Sequence, residues 1–263
     1  MTKLLVALDI DGTTIHHDGH LSDRVRAAVQ AARDAGHQIV IATGRSVLGT
    51  LPVCAELGLT DGYAVCSNGA VTLALDPTVP QGYRIEDVVT FDPRPVLARL
   101  RNAWDDGLVA VEVLGSHYKI SAPFPEGELP GPTEVVSWEE LGTEPTTRLT
   151  FRSPTGTADD FVELAEGLGL HGMNYAVGFT AWMDINPDGI SKASALEQIR
   201  ARLGVPIENV VAVGDHRNDV QMLQWAGRGV AMGQAPEEVK AVADEVTAPV
   251  EEDGLALVLE GLV

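Results

Sequence analysis

Four clusters of polar residues in this chain have the types and spacing to do chemistry. Asp9-Ile10-Asp11-Gly12-Thr13 follows a short apolar run, and Thr43-Gly44-Arg45 follows another. Gly189-Ile190-Ser191-Lys192 opens a helical stretch, and Gly214-Asp215 with Asn218-Asp219 follows a third apolar run. Each has a plain structural reading when taken alone. Asp-x-Asp is a turn with an exposed acidic pair, Thr43 an N-cap, Lys192 a solvated helix lysine, and Asp215 and Asp219 caps of the next helix. Together they read differently, because in open parallel sheets ligands bind beyond the carboxyl ends of the strands. That rule brings Asp9, Asp11, Asp215 and Asp219 toward one place. Carboxylates gathered without compensation repel and push protons onto one another. A hard divalent cation with Lys192 resolves the conflict, and Mg2+ fits, since it takes a few carboxylates together with water and phosphate oxygens.

The elements that must carry these clusters follow from the apolar pattern. Lys3–Leu8 reads as a buried strand. Ser22 caps a helix whose apolar face includes Val25, Ala28, Val29 and Ala32 and which ends near Gly36. Gln38–Ala42 is a second strand, a helix then runs to about Leu57, and Tyr63–Cys66 is a third strand. The rhythm returns late, with a helix over Lys192–Leu203, a strand over Asn209–Val213, a helix through Met222 and Leu223, a strand over Gly229–Met232 and a helix from Pro236. This alternation predicts an α/β fold with a doubly wound, Rossmann-like parallel sheet. The middle differs: helices over Pro93–Asp105 and Thr157–Leu168 are separated by strands at Val109–Leu114, His117–Ser121 and Thr147–Arg152, and strands at Met173–Val177 and Ala181–Ile185 follow. The reading is therefore a discontinuous core, residues 1–86 and 186–263, with an inserted α+β domain over 87–185.

Composition agrees with a chain of this size. The 263 residues are 45% apolar and only 5% aromatic, so a large core must be built from aliphatic side chains. The net charge of −20, with no Lys/Arg cluster, argues against a nucleic-acid partner. It also means that a phosphate site must bring its own positive charge. Cys54 and Cys66 lack metal-ligand spacing and read as reduced core thiols of a cytoplasmic protein. The apolar opening before Asp9 is too short for a signal peptide or a membrane span.

These motifs resemble the haloacid dehalogenase (HAD) superfamily, and most closely its Cof-like branch with a large inserted α/β cap (type IIB). The matching residues are Asp9-Ile10-Asp11-Gly12-Thr13, Thr43, Ser67-Asn68-Gly69-Ala70, Gly189-Ile190-Ser191-Lys192 and Gly214-Asp215-His216-Arg217-Asn218-Asp219 running on to Met222-Leu223. Val230-Ala231-Met232-Gly233-Gln234-Ala235 looks like the same branch, with Gln234 where Asn is usual; His216 is also atypical. Both departures are expected to bear on the substrate pocket and not on the chemistry. The resemblance covers about 1–75 and 185–255 and is weak in the cap.

It implies a phosphatase acting on a small phosphate ester. Asp9 would be the nucleophile that forms an acyl phosphate, and Asp11 would protonate the leaving alkoxide and then deprotonate water. The cation would be held by the Asp9 carboxylate, the Asp11 main-chain carbonyl and the Asp215 carboxylate, with Asp219 behind them orienting a metal-bound water or Lys192. Thr43, the Gly44 amide, Lys192 and Asn218, together with Ile10, would bind the phosphoryl oxygens. The second Asp separates phosphate chemistry from carbon–halogen cleavage, which has no alkoxide to protonate. Two other readings stand beside it: a phosphomutase on sugar phosphates, and a receiver-like signalling module that accepts phosphate on a strand-end Asp.

Several features are decoys. Gly167–Gly172 matches Gly-x-Gly-x-x-Gly but follows a helix, which makes it a helix end and not a dinucleotide site. His16, His17 and His20 read as a surface turn, and Gly189–Ala193 lacks the strand-turn setting of a nucleophile elbow. In the cap, Arg148, Arg152, His117, Lys119, Trp182 and Asp184 are candidates for reading the leaving group or else ordinary strand residues. Arg45 either faces phosphate or pairs with an acid.

Overall fold

The computed structural model describes residues 3–101, 106–153, 155–157, 173–177 and 182–263. In chain order these form β1 (Leu5–Leu8), α1 (Asp23–Asp34), β2 (Gln38–Ala42), α2 (Val47–Glu56), β3 (Gly62–Cys66), β4 (Val71–Leu75), β5 (Tyr83–Val88), α3 (Arg94–Leu100), β6 (Leu108–Val113), β7 (His117–Ile120), β8 (Thr133–Val135) and α4 (Trp138–Leu141). There follow β9 (Leu149–Arg152), β10 (Met173–Val177), β11 (Trp182–Pro187), α5 (Lys192–Leu203), β12 (Val210–Gly214), α6 (Val220–Trp225), β13 (Arg228–Ala231), α7 (Glu237–Lys240), β14 (Glu245–Val246) and α8 (Gly254–Glu260). They divide into two compact units: Met1–Gly44, Thr50–Asp87 and Ser191–Val263 in one, Arg45–Gly49 and Val88–Ile190 in the other.

The first unit is built on an eight-stranded sheet in the order β14-β13-β12-β1-β2-β3-β4-β5. From β14 to β3 every pairing is parallel, whereas β4 returns antiparallel to β3. The central strands are buried on both faces, which is why Leu5–Leu8 and Val210–Gly214 are unbroken apolar runs. Leu196 and Ile199 of α5 pack on Val40, Val65 and Ala212 beneath them. Helix α1 begins where the Ser22 hydroxyl accepts the Val25 amide, and it buries Val25, Ala28, Val29 and Ala32. The doubly wound α/β core read from the sequence is present.

The sequence reading lacked β4 and β5. Strand β5 is exposed at most positions and pairs charges such as Glu86 and Asp87 with Arg202, so it carries no apolar alternation to read.

The second unit has a six-stranded sheet, β10-β11-β9-β6-β7-β8. Its pairings are antiparallel except for β7 with β8. Val96, Leu97 and Leu100 of α3 pack against Val109, Phe151 and Met183. Strand β8 is three exposed residues after a Pro/Gly-rich loop, again without a readable period. The helix expected over Thr157–Leu168 and the Gly167–Gly172 loop lie almost wholly outside the described residues, as does the last part of the one expected over Pro93–Asp105.

Candidate active site

Three neighbouring parallel strands deliver the site. Leu8 of β1 is in register with Val213 of β12 on one side and Ile41 of β2 on the other. Asp9 therefore leaves the sheet beside Asp215 and Thr43. The Asp9 amide still donates to the Val213 carbonyl at 3.1 Å, so the nucleophile candidate sits on the last rung of the ladder. Strand order reverses between β1 and β12, and such a switch point is where a crevice opens in this class of sheet.

The turn after β1 is wound tightly around one carbonyl. The Ile10 oxygen accepts from the amides of Thr13 (3.3 Å), Thr14 (2.9 Å) and Ile15 (2.9 Å). The Thr14 hydroxyl donates to the Asp9 carbonyl at 2.5 Å, and the Thr13 hydroxyl donates to Asp215 Oδ1 at 3.4 Å. Gly12 has φ +76°, and a Cβ there would stand 2.4 Å from Asp215 Oδ2, so both the backbone and the space demand glycine. The Asp11 side chain is exposed, and its charge adds to the repulsion felt by Asp9.

Lys192 is the first residue of α5, where Ser191 and Ser194 form a capping box. Its ammonium is fully buried and donates at 2.6 Å to Asp9 Oδ1 and at 2.6 Å to Asp219 Oδ1. The two carboxylates outweigh its burial and hold its pKa above the usual lysine value, so it stays charged. Asp219 Oδ2 accepts the amides of Asp215 and His216, each at 3.0 Å. That places Asp219 in the cluster itself, in direct contact with Lys192. Gly214 is needed here too, since a Cβ would come within 2.5 Å of Asp219 Cγ.

The charges do not balance. Asp9, Asp215 and Asp219 are all buried, with ligand oxygens within 4.8 Å of one another, against one ammonium. Burial first, then repulsion from Asp219, pushes Asp9 well up from the ordinary carboxylate value and Asp215 up to about 7. Carboxylates this close and short of positive charge can take a hard divalent cation. Asp219 already has Lys192 on one oxygen and two backbone amides on the other, which leaves Asp9 and Asp215 as the carboxylates to hold it. Mg2+ fits these residues.

The remaining sequence candidates find definite places. Thr43 is buried, its amide bonded to the Val65 carbonyl at 2.9 Å. Asn218 Nδ2 donates to Asn68 Oδ1 at 3.0 Å, and the Asn68 amide donates to the Thr43 carbonyl at 3.0 Å. Asn68 Oδ1 would also lie 3.1 Å from a Cβ on Gly44, so one side chain braces both Gly44 and Asn218. The sequence reading recognised Ser67–Ala70 as a motif and assigned Asn68 no role. Its signal was the Asn-Gly pair, which allows the consecutive left-handed residues Ser67 (φ 48°), Asn68 (φ 52°) and Gly69 (φ 103°). Gln234, expected to bear only on a substrate pocket, instead reaches Asp215 Oδ2 at 3.4 Å.

In the second unit the leaving-group candidates all have partners, and three of them, Arg148, Asp184 and Trp182, share one network. Arg148 is buried, donating to the Tyr118 hydroxyl at 3.1 Å and to Asp184 at 3.5 Å, and Asp184 also accepts from Thr150 and from Trp182 Nε1. Arg152 pairs with Glu128 at 3.0 Å, the Lys119 ammonium donates to the Thr143 hydroxyl, and the His117 ring meets the Ser116 hydroxyl. Arg45 donates to the Gly49 carbonyl at 3.4 Å. His16, His17 and His20 lie in a tight turn closed by the His16 amide on the His20 carbonyl. Cys54 and Cys66 are free and buried, with burial pushing the Cys54 thiol up to about 12. Among the described residues no helix is long and apolar enough to cross a membrane.

A doubly wound sheet that gathers a strand-tip aspartate, a buried lysine and a partly uncompensated acid cluster at its switch point is an arrangement suited to a phosphoryl group. Residues 6–84 and 136–259 match the family model of haloacid dehalogenase-like hydrolases, and this chain belongs to that family. It is 32% identical to the pyridoxal phosphate phosphatase YbhA of Escherichia coli over 97% of each chain. It is 29% identical to the 5-amino-6-(5-phospho-D-ribitylamino)uracil phosphatase YcsE of Bacillus subtilis, over 96% of this chain and 92% of that one. Among solved structures, a sugar phosphatase of HAD subclass IIB superposes over the whole of both chains with a TM-score of 0.83 at 25% identity. The chain is thus a type IIB phosphoric monoester hydrolase, which sets aside the receiver-like reading.

Proposed function

We propose that this chain is a Mg2+-dependent phosphatase that hydrolyses a small phosphomonoester, a sugar phosphate or a similar compound, through an aspartyl phosphate on Asp9. The observation that carries the reading is the fully buried Lys192 ammonium held at 2.6 Å by both Asp9 and Asp219, beside Asp215. A lysine is buried this completely only where paired charge compensates it. Here its partner is a strand-tip carboxylate able to attack phosphorus.

An Asp9 oxygen forms the new bond to phosphorus as the ester oxygen departs, taking a proton from Asp11. Asp11, now ionised, takes a proton from the water that attacks the acyl phosphate, which frees inorganic phosphate and restores Asp9. Lys192 fixes the Asp9 carboxylate and supplies positive charge at the phosphoryl oxygens, with Thr43, the Gly44 amide, the Ile10 backbone and Asn218 completing their binding. Losing such a group costs roughly 2.7–4 kcal/mol of barrier. Asp9, the Asp11 main-chain carbonyl and Asp215 would hold the cation, which when bound neutralises charge on the transferring group. The compounds for which the relatives are named, pyridoxal phosphate, 5-amino-6-(5-phospho-D-ribitylamino)uracil and a sugar phosphate, support a small ester of this kind. We assign substrate selection to the second unit, and a reducing, cytoplasmic setting suits the two free thiols.

The test is a panel of phosphate esters assayed with Mg2+, with Asp9→Asn as the comparison. Turnover of at least one ester, dependence on the cation and near-total loss in Asp9→Asn are expected. Activity retained in Asp9→Asn would remove Asp9 from its role. Analysis of the products from a sugar monophosphate separates hydrolase from mutase: free phosphate is expected, and an isomer would favour the mutase.

A further inference from the structure

Gln234 departs from the pattern of this branch, and its position in the fold gives that departure a purpose. It follows β13, the neighbour of β12 in the sheet, and its side-chain amide reaches three separate segments. Nε2 donates to the Gly12 carbonyl at 2.5 Å and to Asp215 Oδ2 at 3.4 Å, while Oε1 accepts the Val250 amide at 3.0 Å. The partners fix which end is which, because a carbonyl can only accept and an amide N–H can only donate. Flipping the group would lose all three contacts.

The other Asp215 oxygen, Oδ1, receives the Thr13 hydroxyl at 3.4 Å. Each oxygen of the carboxylate therefore has its own neutral donor, one from the loop after β1 and one from the segment after β13, and the pair fixes its plane. Gly12 makes this possible by leaving free the space that a Cβ would contest with Oδ2. We propose that Gln234 is a positioning residue for Asp215, bracing that carboxylate against the Gly12 turn and the Val250 segment so that it is already oriented to bind a divalent cation. The extra methylene of Gln over Asn supplies the reach to Val250. This inference rests on the cation site proposed above.

The test is Gln234→Met, which keeps the length and removes both hydrogen-bonding ends. Mn2+ is titrated into the folded protein without substrate and followed by electron paramagnetic resonance, in parallel with urea unfolding in EDTA. Mn2+ affinity is expected to fall roughly 10–100-fold, the usual effect of removing a partner that orients a metal ligand. Activity should recover toward wild type at saturating cation. Unchanged Mn2+ affinity, with or without a loss of stability, overturns the proposal. Gln234→Leu takes its place if the Met variant does not fold, with the same outcomes. Wild-type protein that takes up no Mn2+ overturns the cation site itself, and that failure is recognisable because it precedes any variant.

Discussion

Replacing Lys192 with Met should be far more damaging to the fold than the loss of one surface-type ion pair, and its cost should depend on pH. The ammonium is fully buried and is the cation that directly contacts both Asp9 and Asp219, with Asp215 close by. Exposed pairs contribute about 0–1 kcal/mol, whereas removing one member of a buried pair costs about 3–5 kcal/mol because the partner charge is stranded. The stranded carboxylates can escape by taking up protons, which costs little at low pH and more as pH rises. In EDTA, urea unfolding of Lys192→Met should show a loss of about 3–5 kcal/mol at pH 8 and a smaller one at pH 5.5. Adding Asp219→Asn to that variant removes one stranded charge and should restore at least about 1 kcal/mol at pH 8, the size of coupling expected for contacting residues. A Lys192→Met loss below about 1 kcal/mol at pH 8 would refute the argument. So would a double variant no more stable than Lys192→Met, since either result means the buried charges do not compensate one another.

The wild-type protein should show the same electrostatics through its response to pH and cation. The folded-state pKa of Asp215 is raised to about 7 from an ordinary value near 4, so its contribution to stability is full below about pH 4 and is lost as pH rises through 7. The loss is at most about 4 kcal/mol at about 1.4 kcal/mol per pH unit. In EDTA the Tm should therefore fall between pH 5 and pH 8, and Mg2+ should raise it more at pH 8 than at pH 5; an equal Mg2+ effect at both values would contradict this. Gly12→Ala should cost about 1–2 kcal/mol for a left-handed alanine and also displace Asp215, abolishing the Mg2+-induced rise in Tm. Gly19→Ala (φ +87°, nothing within 4 Å) should incur only the backbone cost and keep that rise, so a matching loss there would show that backbone strain alone, and not the Asp215 contact, explains the Gly12→Ala result.

What could be read in the sequence was whatever the sheet itself dictates. A buried parallel strand must be an apolar run, and the residue that ends it must be polar if a ligand binds there. Asp9, Thr43 and Asp215 stood out for that reason, and register alone then makes them neighbours. Lys192 was legible as a helix start after Ser191. Its burial was not, because a lysine at the first helical position is solvated by default and only the inward aim of α5 makes it otherwise. Residues that act through reach were harder to see. Asn68 owes its place to left-handed backbone, and Gln234 to a carbonyl and an amide that lie more than two hundred residues upstream and sixteen downstream. Arg148 shows the converse. The sequence left it either reading the leaving group or holding an ordinary strand position, and in the fold it is buried against Tyr118 and Asp184 of its own unit. Its neighbours lie on other strands, so the local alternation that marks a residue as facing inward says nothing of the acid waiting there. The same physics explains both cases: sequence period reports which way a side chain points, and only the assembled sheet determines whether it finds solvent, a cation or a carboxylate.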